Sequence, residues 1–256
     1  MENTSGPKAL TEYILQLSKD KADKKSFILL VQGILAGMYI SLGAIAYFKA
    51  SASIAYPGLG SFLGALVFPL GIIAVLLMQA ELFTSDCMVM TAVYAGRTRI
   101  YRIFKILGLI LVANAIGCIF IAYLTNVSGI FNDDVMKLVT DVAMKKAYMP
   151  FGRLLVSGIL CNIIVSTGVC LAYSCQNEMA KIAVLWLAIV VFTLSGTEHV
   201  VANAYYLFTA FFGGAEITIS AIVYNLLASG LGNFIGGGII VSGANYILAY
   251  KDLPKH

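Results

Sequence analysis

The stretch SGTEHVVAN, residues 195–203, places a glutamate and a histidine inside an otherwise apolar run. That run covers residues 182–215, and residues 196–199 interrupt it close to its midpoint. An ionisable side chain at the centre of a bilayer costs roughly 2.5–3.5 kcal/mol on insertion scales. At that depth the backbone leaves the helical conformation only where it is buried in protein or lines an aqueous path. The stretch therefore predicts a broken membrane helix deep in the molecule.

The composition of the whole chain also indicates a membrane protein. Hydrophobic residues make up 60% of its 256 residues and charged residues 12%, whereas soluble domains carry about 25% charged residues. A helix that crosses a bilayer needs about 20 apolar residues. Charge-free runs that reach or approach this length occupy residues 27–48, 50–80, 106–132, 154–177, 182–197 and 217–250. Because residues 182–197 are too few for a span, we interpret them as half of a broken one.

The ends of the chain flank this apolar region. Residues 1–26 carry apolar side chains at helical spacing, followed by four lysines. This pattern predicts an amphipathic helix that either lies on an anionic membrane surface or caps a pore mouth. We assign residues 27–250 to six transmembrane helices and residues 251–256 to a C-terminal tail. Twelve Lys and Arg residues fall on the side of the termini and five on the other, so we expect a multi-pass protein of the cell inner (plasma) membrane with both termini cytoplasmic.

The sequence contains a weak internal repeat. Three matching pairs occur at offsets of 125, 117 and 119: residues 31–37 with 156–162, Glu81 with Glu198, and residues 114–117 with 233–236. The halves, about 27–125 and 150–250, then hold three spans each, and an odd number makes the second half enter from the opposite side. The predicted fold is all-α, a polytopic membrane protein whose six helices form an inverted 3+3 repeat with helices 2 and 5 broken.

A break that matches residues 196–199 is predicted in the first half, near residues 81–86. Residues 195–198 fit the S-x-x-E capping box that starts a helix. The corresponding cap in the first half would come from Thr84, Ser85 and Asp86. Two helix N-termini near the midplane would present free N–H groups, which favour an anion.

Polar residues at predicted membrane depth are candidate pore residues. We assign His199 to the ion path, because histidine changes charge near neutral pH and can donate a hydrogen bond or a proton to a passing anion. Glu81, Asp86 and Glu198 are expected instead to accept hydrogen bonds from loop N–H groups. Lys146 either draws anions into an outer vestibule or is a solvated loop lysine. Basic vestibules are expected to concentrate the anion.

Two asparagines and four apolar residues complete the candidate set. Asn162 and Asn233 are isolated polar residues in apolar spans, which either hydrogen-bond between helices or line the pore. The apolar residues flank the breaks and either form constrictions that exclude water or pack in the core. They are Leu82, Phe83, Phe192 and Leu194.

These residues resemble the formate/nitrite transporter family over essentially the whole chain. The motifs are ELFTS at residues 81–85, GILCN at 158–162, SGTEHVVAN at 195–203 and LGNFIGG at 231–237. The resemblance implies an aquaporin-like protomer with its own pore, assembled as a homo-pentamer in the lipid bilayer. It also implies that His199 is the central pore histidine, that Thr84 faces it, and that Leu82 and Leu194 contribute to the constrictions.

Further pore positions follow from the same resemblance. Lys146, Asn162 and Asn233 fall where the family has its basic and asparagine positions. Asn203 is the last residue of the most specific motif, Glu-His-x-x-Ala-Asn, which begins at Glu198.

One position departs from the family pattern. Formate and nitrite members usually carry an aromatic residue between the glycine and glutamate of the central motif, where this chain has Thr197. In this respect the chain resembles the hydrosulfide-channel branch. We predict a channel for small monovalent anions of weak acids, chiefly hydrosulfide, with formate and nitrite also passing. The alternative is a proton-coupled formate/nitrite secondary transporter.

Other functions are less compatible with the sequence. A neutral-solute pore of aquaporin type would carry paired Asn-Pro-Ala elements at the breaks, and none of the five prolines forms one. A metal enzyme needs converging His, Asp, Glu or Cys ligands, but the intramembrane acids are scattered and the five cysteines form no CxxC pair. We therefore expect no catalytic site, cofactor, metal or nucleic-acid partner, and we interpret the cysteines as core residues.

Overall fold

The computed structural model describes residues 6–249, and the regular structure in this range is helical throughout. The predicted tail, residues 251–256, lies outside the described residues. Six helices in this range are long and apolar enough to cross a membrane: Ser26–Ala52, Pro57–Leu77, Ile100–Val127, Phe151–Tyr173, Glu178–Ser195 and Ile219–Ala249. The prediction of an all-α protein with six spans is confirmed.

The two halves of the chain contain the same succession of elements. The first half consists of α1 (Pro7–Asp23), α2 (Ser26–Ala52), α3 (Pro57–Val67), α4 (Leu70–Leu77), α5 (Phe83–Asp86), a 3₁₀ turn (Cys87–Met90), α6 (Thr91–Tyr94) and α7 (Ile100–Val127). The second half consists of α8 (Asp133–Ala147), α9 (Phe151–Tyr173), α10 (Glu178–Ser195), α11 (Val200–Phe212), α12 (Ile219–Phe234), a π-helical segment (Ile235–Val241) and α13 (Ser242–Ala249). Each half thus has a surface helix, three spans and a short helix after the second span. The surface helix α8 corresponds to α1.

The first and third spans of each half pack closely because glycine lies at their contact. A Cβ on Gly117 of α7 would lie 2.1 Å from the carbonyl oxygen of Ile34 in α2. In the second half, a Cβ on Gly236 would lie 2.3 Å from the carbonyl oxygen of Ile159 in α9. Such backbone contacts permit no side chain, and they are typical of helix packing in membranes.

The second half is broken where the sequence predicts, at residues 196–199, between α10 and α11. Gly196 ends α10 with φ 62°, a left-handed conformation that glycine adopts without a steric cost. Residues 182–195 belong to the part of the broken fifth helix that precedes the break, as predicted, but this part is longer than the charge-free run. Asn177 caps α10 by accepting N–H bonds, so the helix begins at Glu178 and its 18 residues meet the length of a span.

The first break lies slightly earlier than predicted. Residues 78–82 are non-helical, and α5 begins at Phe83. Leu82 is the N-cap residue and makes no side-chain capping bond, so the predicted cap from Thr84, Ser85 and Asp86 is wrong. All three residues lie inside α5, after its N-cap.

The surface helix α1 packs against one end of the bundle, which we call the α1 face. Leu10 and Ile14 are buried there. The ring of Tyr13 lies 4.9 Å from the ring of Tyr173, at the end of α9. The opposite end of the bundle carries α8 and is called the α8 face.

Candidate functional site

The two breaks meet in the interior through one side-chain contact. The hydroxyl oxygen of Thr84 lies 3.0 Å from Nε2 of His199. Thr84 has no exposed surface and His199 is 3% exposed. A hydroxyl and an imidazole N–H are both hydrogen-bond donors for an anion. The pairing of these two residues brings two donors of opposite halves to a single point in the protein.

The backbone fixes which nitrogen of His199 carries the proton. His199 is the N-cap of α11, and its Nδ1 accepts the N–H of Ala202 at 3.2 Å. A nitrogen that accepts a hydrogen bond holds no proton, so we assign the proton to Nε2, which then donates to Thr84. The predicted capping box at residues 195–198 is wrong, because Ser195 belongs to α10 and bonds the carbonyl of Val191.

Glu198 forms a buried ion pair beside the break. Its carboxylate accepts from Nζ of Lys146 at 2.8 Å and from Nδ2 of Asn203 at 2.6 Å. Lys146 lies on α8, is 8% exposed, and its ammonium is 5.8 Å from the ring centre of Tyr206. The predictions that Lys146 is a solvated loop residue and that Glu198 accepts loop N–H bonds are both wrong. A buried ammonium paired in this way is not free to collect anions in a vestibule.

One asparagine that the sequence analysis did not single out extends this network. Nδ2 of Asn203 also donates to Oδ1 of Asn225, at 2.9 Å, and Nδ2 of Asn225 donates to the carbonyl of Lys146, at 2.9 Å. Asn225, like Asn233 in the same span, is an uncharged polar residue among apolar ones, the same signal that selected Asn162. The network ties α8, α11 and α12 together around Glu198.

The predicted asparagines form hydrogen bonds between helices. Nδ2 of Asn162 donates to the carbonyls of Thr84 and Asn233, at 3.0 and 2.7 Å. Nδ2 of Asn233 donates to the carbonyls of Gly158 and Glu198, both at 2.8 Å, and its Oδ1 accepts the N–H of Val200, at 2.9 Å. Both amide groups are engaged by the backbone, so the interhelical alternative describes them better than direct contact with an ion.

A matching asparagine in the first half was also not selected from the sequence as a site residue. Nδ2 of Asn114 donates to the carbonyls of Gly33 and Glu81, at 2.8 and 2.9 Å. Its Oδ1 accepts the N–H of Phe83 at 2.9 Å, at the start of α5. The side-chain oxygens of Asn114 and Asn233 therefore each accept one backbone N–H at a break. We had expected these N–H groups to be free to bind an anion.

Three of the four predicted constriction residues are buried and lie next to Thr84 along the chain or beside His199 in space. Leu82 and Phe83 are buried next to Thr84. The ring centre of Phe192 lies 5.5 Å from that of His199. Leu194 is 47% exposed. It lies two residues after Phe192 on α10, and side chains at that spacing point to different sides of a helix. Within the protomer, Leu194 is therefore not buried with the other three predicted constriction residues.

Comparison with known proteins identifies the fold and the family. The model of the formate/nitrite transporter family matches residues 8–247. The chain belongs to the formate/nitrite transporter family. It is 32% identical over 254 residues to YrhG of Bacillus subtilis, described as an uncharacterized transporter, with 97% of this chain and 95% of that one covered.

Two solved structures share the arrangement. One is an ion channel of the formate/nitrite transporter (FNT) family, with a TM-score of 0.87 and 25% identity, covering 96% of this chain and 99% of that one. The other is a pentameric formate channel with formate bound, with a TM-score of 0.80 and 26% identity, covering 88% and 98%. These relatives are transport proteins, so the enzyme alternative is excluded and the chain is a multi-pass membrane protein.

In this member of the family, the acids of the first break pair with α1. Nζ of Lys21 contacts Glu81 and lies 2.8 Å from Oδ1 of Asp86. Nζ of Lys24 lies 2.7 Å from Oε1 of Glu81. The prediction that Glu81 and Asp86 accept loop N–H bonds is therefore wrong. Burial opposes the charge on Lys21, but the carboxylates of Asp86 and Glu81 outweigh it and raise the pKa of its ammonium.

Cavities on the two faces differ in charge. A cavity of about 700 Å³ at the α1 face is lined by three basic side chains and four acidic ones: Lys21, Lys24 and Lys181, and Asp20, Glu81, Asp86 and Glu178. A cavity of about 870 Å³ at the α8 face is lined by Lys145 and Arg153, with no acidic residue in its wall. The expectation of a basic vestibule is thus wrong at the α1 face and fits only the α8 face. Neither cavity is lined by Thr84 or His199.

Proposed function

We propose that the protein conducts small monovalent anions of weak acids across the membrane, with hydrosulfide the best substrate and formate and nitrite also passing. The observation that carries this proposal is the buried pair of Thr84 and His199, two donors that face each other from the two breaks at 3.0 Å. The apolar residues Leu82, Phe83 and Phe192 around them are suited to exclude water. An anion that inserts between the donors can accept a hydrogen bond from each.

The energetics favour the anions of weak acids over those of strong acids. Two hydrogen bonds to a charged group contribute roughly 1.5–3 kcal/mol each. Removing an isolated ion from water into an apolar site costs tens of kcal/mol by solvation estimates. The donors offset only part of this cost. A weak acid avoids the remainder if it takes up a proton before it crosses the apolar slit, and chloride has no such route.

His199 acts in this proposal as a hydrogen-bond donor and not as an acid. A loan of its proton, which the sequence left open as the alternative to a hydrogen bond, requires an imidazolium with protons on both nitrogens. Protonation of Nδ1 would remove the acceptor for the N–H of Ala202 and place a charge in a buried site. The proton that neutralises the anion then comes from water in the cavities.

The choice of hydrosulfide rests on Thr197. This residue stands where formate and nitrite members usually carry an aromatic side chain, and it lines the cavity at the α8 face. A small side chain there leaves a wider approach to the break than an aromatic ring would.

The assembly and location follow from the relatives. We propose a homo-pentamer, as in the similar formate channel, with one pore through each protomer. We place the protein in the plasma membrane with both termini in the cytoplasm, on the basis of the distribution of Lys and Arg. The α1 face is then cytoplasmic.

A proton-coupled secondary transporter is the second candidate, and one observation favours it. Thr84 and His199 are buried and contact neither described cavity, as in a site that is occluded between two alternating states. The flux per protomer into liposomes separates the two candidates, because a rate far above a carrier's turnover excludes alternating access.

The proposed substrate is tested by flux into liposomes that contain the purified protein. Hydrosulfide, formate, nitrite and chloride are compared at equal gradients. We expect hydrosulfide to be fastest, formate and nitrite slower, and chloride slowest. Chloride flux equal to that of hydrosulfide would contradict the weak-acid mechanism, and formate above hydrosulfide would contradict the substrate assignment alone.

A further inference from the structure

A group of exposed basic side chains at the start of α7 has no counterion within the chain. The stretch of residues 87–132 contains no acid, and its basic residues are Arg97, Arg99, Arg102 and Lys105. We call these residues the basic cluster. All of them are exposed, and none forms an ion pair with an acid in residues 6–249.

The basic cluster lies where α7 leaves the membrane at the α1 face. It follows α6, which packs against α1. The 28 residues of α7 extend about 42 Å at 1.5 Å per residue, and a bilayer with its headgroups is about 40–45 Å thick. The first turns of α7 therefore lie at the depth of the lipid headgroups. None of the cluster residues lines the cavity at the α1 face, so the cluster is separate from the charges of the first break.

The position of these charges is unfavourable for the helix itself. A helix N-terminus has unpaired N–H groups and a partial positive charge, and it is stabilised by a nearby anion. Arg99 is the N-cap residue of α7 and makes no side-chain capping bond, and the first turn contains no acid. Arg102 and Lys105 lie one turn apart, so their like charges also repel each other.

Two other helices of the same chain begin in the opposite way. The helix α8 is capped by Asn132 and begins with Asp133 and Asp134. The helix α10 is capped by Asn177 and begins with Glu178. In both, the negative charge that a helix start favours comes from the chain. The start of α7 lacks this charge and carries positive charges instead, which indicates that an anion from outside the chain binds there.

The surface beside the basic cluster is apolar. Tyr101 and Phe104 are 56% and 50% exposed, and aromatic residues are enriched where a span meets the headgroups. Lys105 shares one face of α7 with Val112 and Ile116, by helical spacing, and these two residues are also exposed. Positive charge at headgroup depth, next to an apolar stripe at acyl depth, fits a lipid molecule better than it fits a water-soluble acidic partner.

We propose that the basic cluster binds the phosphate headgroup of an anionic phospholipid in the leaflet at the α1 face, with an acyl chain along Val112 and Ile116. The bound phosphate supplies the negative charge that the start of α7 lacks. The guanidinium groups of Arg99 and Arg102 suit this role, because each can donate to two phosphate oxygens at once. The site goes beyond the proposed function and does not depend on which ion permeates.

The experiment measures lipid binding to the full-length protein in an uncharged detergent. Dioleoyl phosphatidylglycerol is the anionic probe, and dioleoyl phosphatidylcholine has the same acyl chains without net charge. We expect the anionic lipid to bind more tightly and to slow amide hydrogen exchange at the start of α7. In R99Q/R102Q its Kd should rise roughly 30-fold, with little change for phosphatidylcholine.

A matched variant controls for net charge. K8Q/K19Q removes the same number of exposed positive charges from α1. There Glu12 and Asp23 lie four residues after Lys8 and Lys19, so each lysine has an acid one helical turn away. The Kd of K8Q/K19Q for phosphatidylglycerol should remain that of the wild type. An equal loss in both double variants would assign the effect to net charge and overturn the site.

A third variant keeps the test independent of a loss of folding. R99D places a good N-cap residue and a negative charge at the start of α7. It should raise the Tm in phosphatidylcholine nanodiscs and weaken the binding of phosphatidylglycerol. A lower Tm for R99D would contradict the missing counterion.

Three further results would overturn the proposal. The first is an unchanged affinity of R99Q/R102Q for phosphatidylglycerol. The second is slowing of exchange by inorganic phosphate as strong as that by the lipid at equal phosphate concentration, which would indicate a site for a free ion. The third is protection of the start of α7 that follows protein concentration and not lipid, which would assign the basic cluster to a contact between copies of the chain.

Discussion

Asn114 and Asn233 make the same three hydrogen bonds in the two halves of the chain. Each amide donates to the carbonyls of a glycine on the first span and a glutamate in the break. Each Oδ1 accepts the first N–H of the helix that follows the break, at 2.9 Å. The non-helical backbone is thus satisfied from the third span of its own half, as a break at membrane depth requires.

Replacement of either asparagine by alanine should destabilise the protein. N114A and N233A each leave the carbonyl of the break glutamate and one buried N–H without this partner, at about 1–3 kcal/mol for each unsatisfied group. We expect a clear fall in Tm in detergent for both variants. N245A is the control, because Asn245 is only partly buried and donates to the carbonyl of Val241, four residues earlier in the same span. Equal Tm values for N233A and N245A would contradict the assigned role.

The ion pair of Lys146 and Glu198 should behave as a coupled buried pair. K146M or E198Q alone leaves one buried charge uncompensated, which costs about 3–5 kcal/mol. The double variant should recover part of this loss, and thermal unfolding of the four proteins gives the coupling free energy. The matched pair is Lys181 and Glu178, at 2.7 Å near the protein surface, where substitution should change stability by less than about 1 kcal/mol. Additive losses at Lys146 and Glu198 would show that the pair does not act as a unit.

Substitutions of His199 separate its capping role from its donor role. H199N keeps a good N-cap residue and a donor N–H, whereas H199A loses both. We expect H199N to fold and to transport formate more slowly, and H199A to lose most flux and some stability. Because His199 is assigned as a donor and not an acid, the pH profile of flux should keep its shape in H199N. A profile that loses one titration step in H199N would show instead that the imidazole exchanges a proton with the anion.

Two glycines of α7 provide a direct test of helix packing. G117A places a Cβ 2.1 Å from the carbonyl oxygen of Ile34, so α2 and α7 must separate. G108A meets no atom within 4 Å and gains helix propensity of up to about 1 kcal/mol. We expect G117A to lower the Tm and G108A to leave it unchanged or raise it. Similar Tm values for the two variants would exclude close backbone contact at Gly117.

Thr197 should influence which anion is preferred. In T197F an aromatic ring occupies the cavity wall at the α8 face, as in the usual formate and nitrite pattern. We expect the ratio of hydrosulfide flux to formate flux to fall severalfold in liposomes. S195F adds the same ring to the same cavity wall, two residues farther from His199. An equal change in both variants would assign the effect to the cavity as a whole and not to position 197.

The sequence alone determined that the chain lies in a lipid bilayer and how many helices span it. It also determined the internal repeat and the break at residues 196–199. These follow from local chemistry, because charged and polar residues stand out in long apolar runs and the repeat preserves their order. The sequence also selected Thr84 and His199, although their contact spans 115 positions. Both residues were selected because they lie in motifs that resemble the family, and not because of the spacing of apolar residues.

Only the tertiary structure decided the partners of the buried charges. Lys21 meets Glu81 across 60 positions, and Lys146 meets Glu198 across 52. No local pattern encodes these pairs, because they form only when a surface helix packs against a break in a distant part of the chain. The same packing buries Lys146, which the sequence had placed at a vestibule or in a solvated loop. It also places four acidic residues in the wall of the cavity at the α1 face. A buried charge takes the partner that the fold brings within a few ångströms, whatever their separation along the chain.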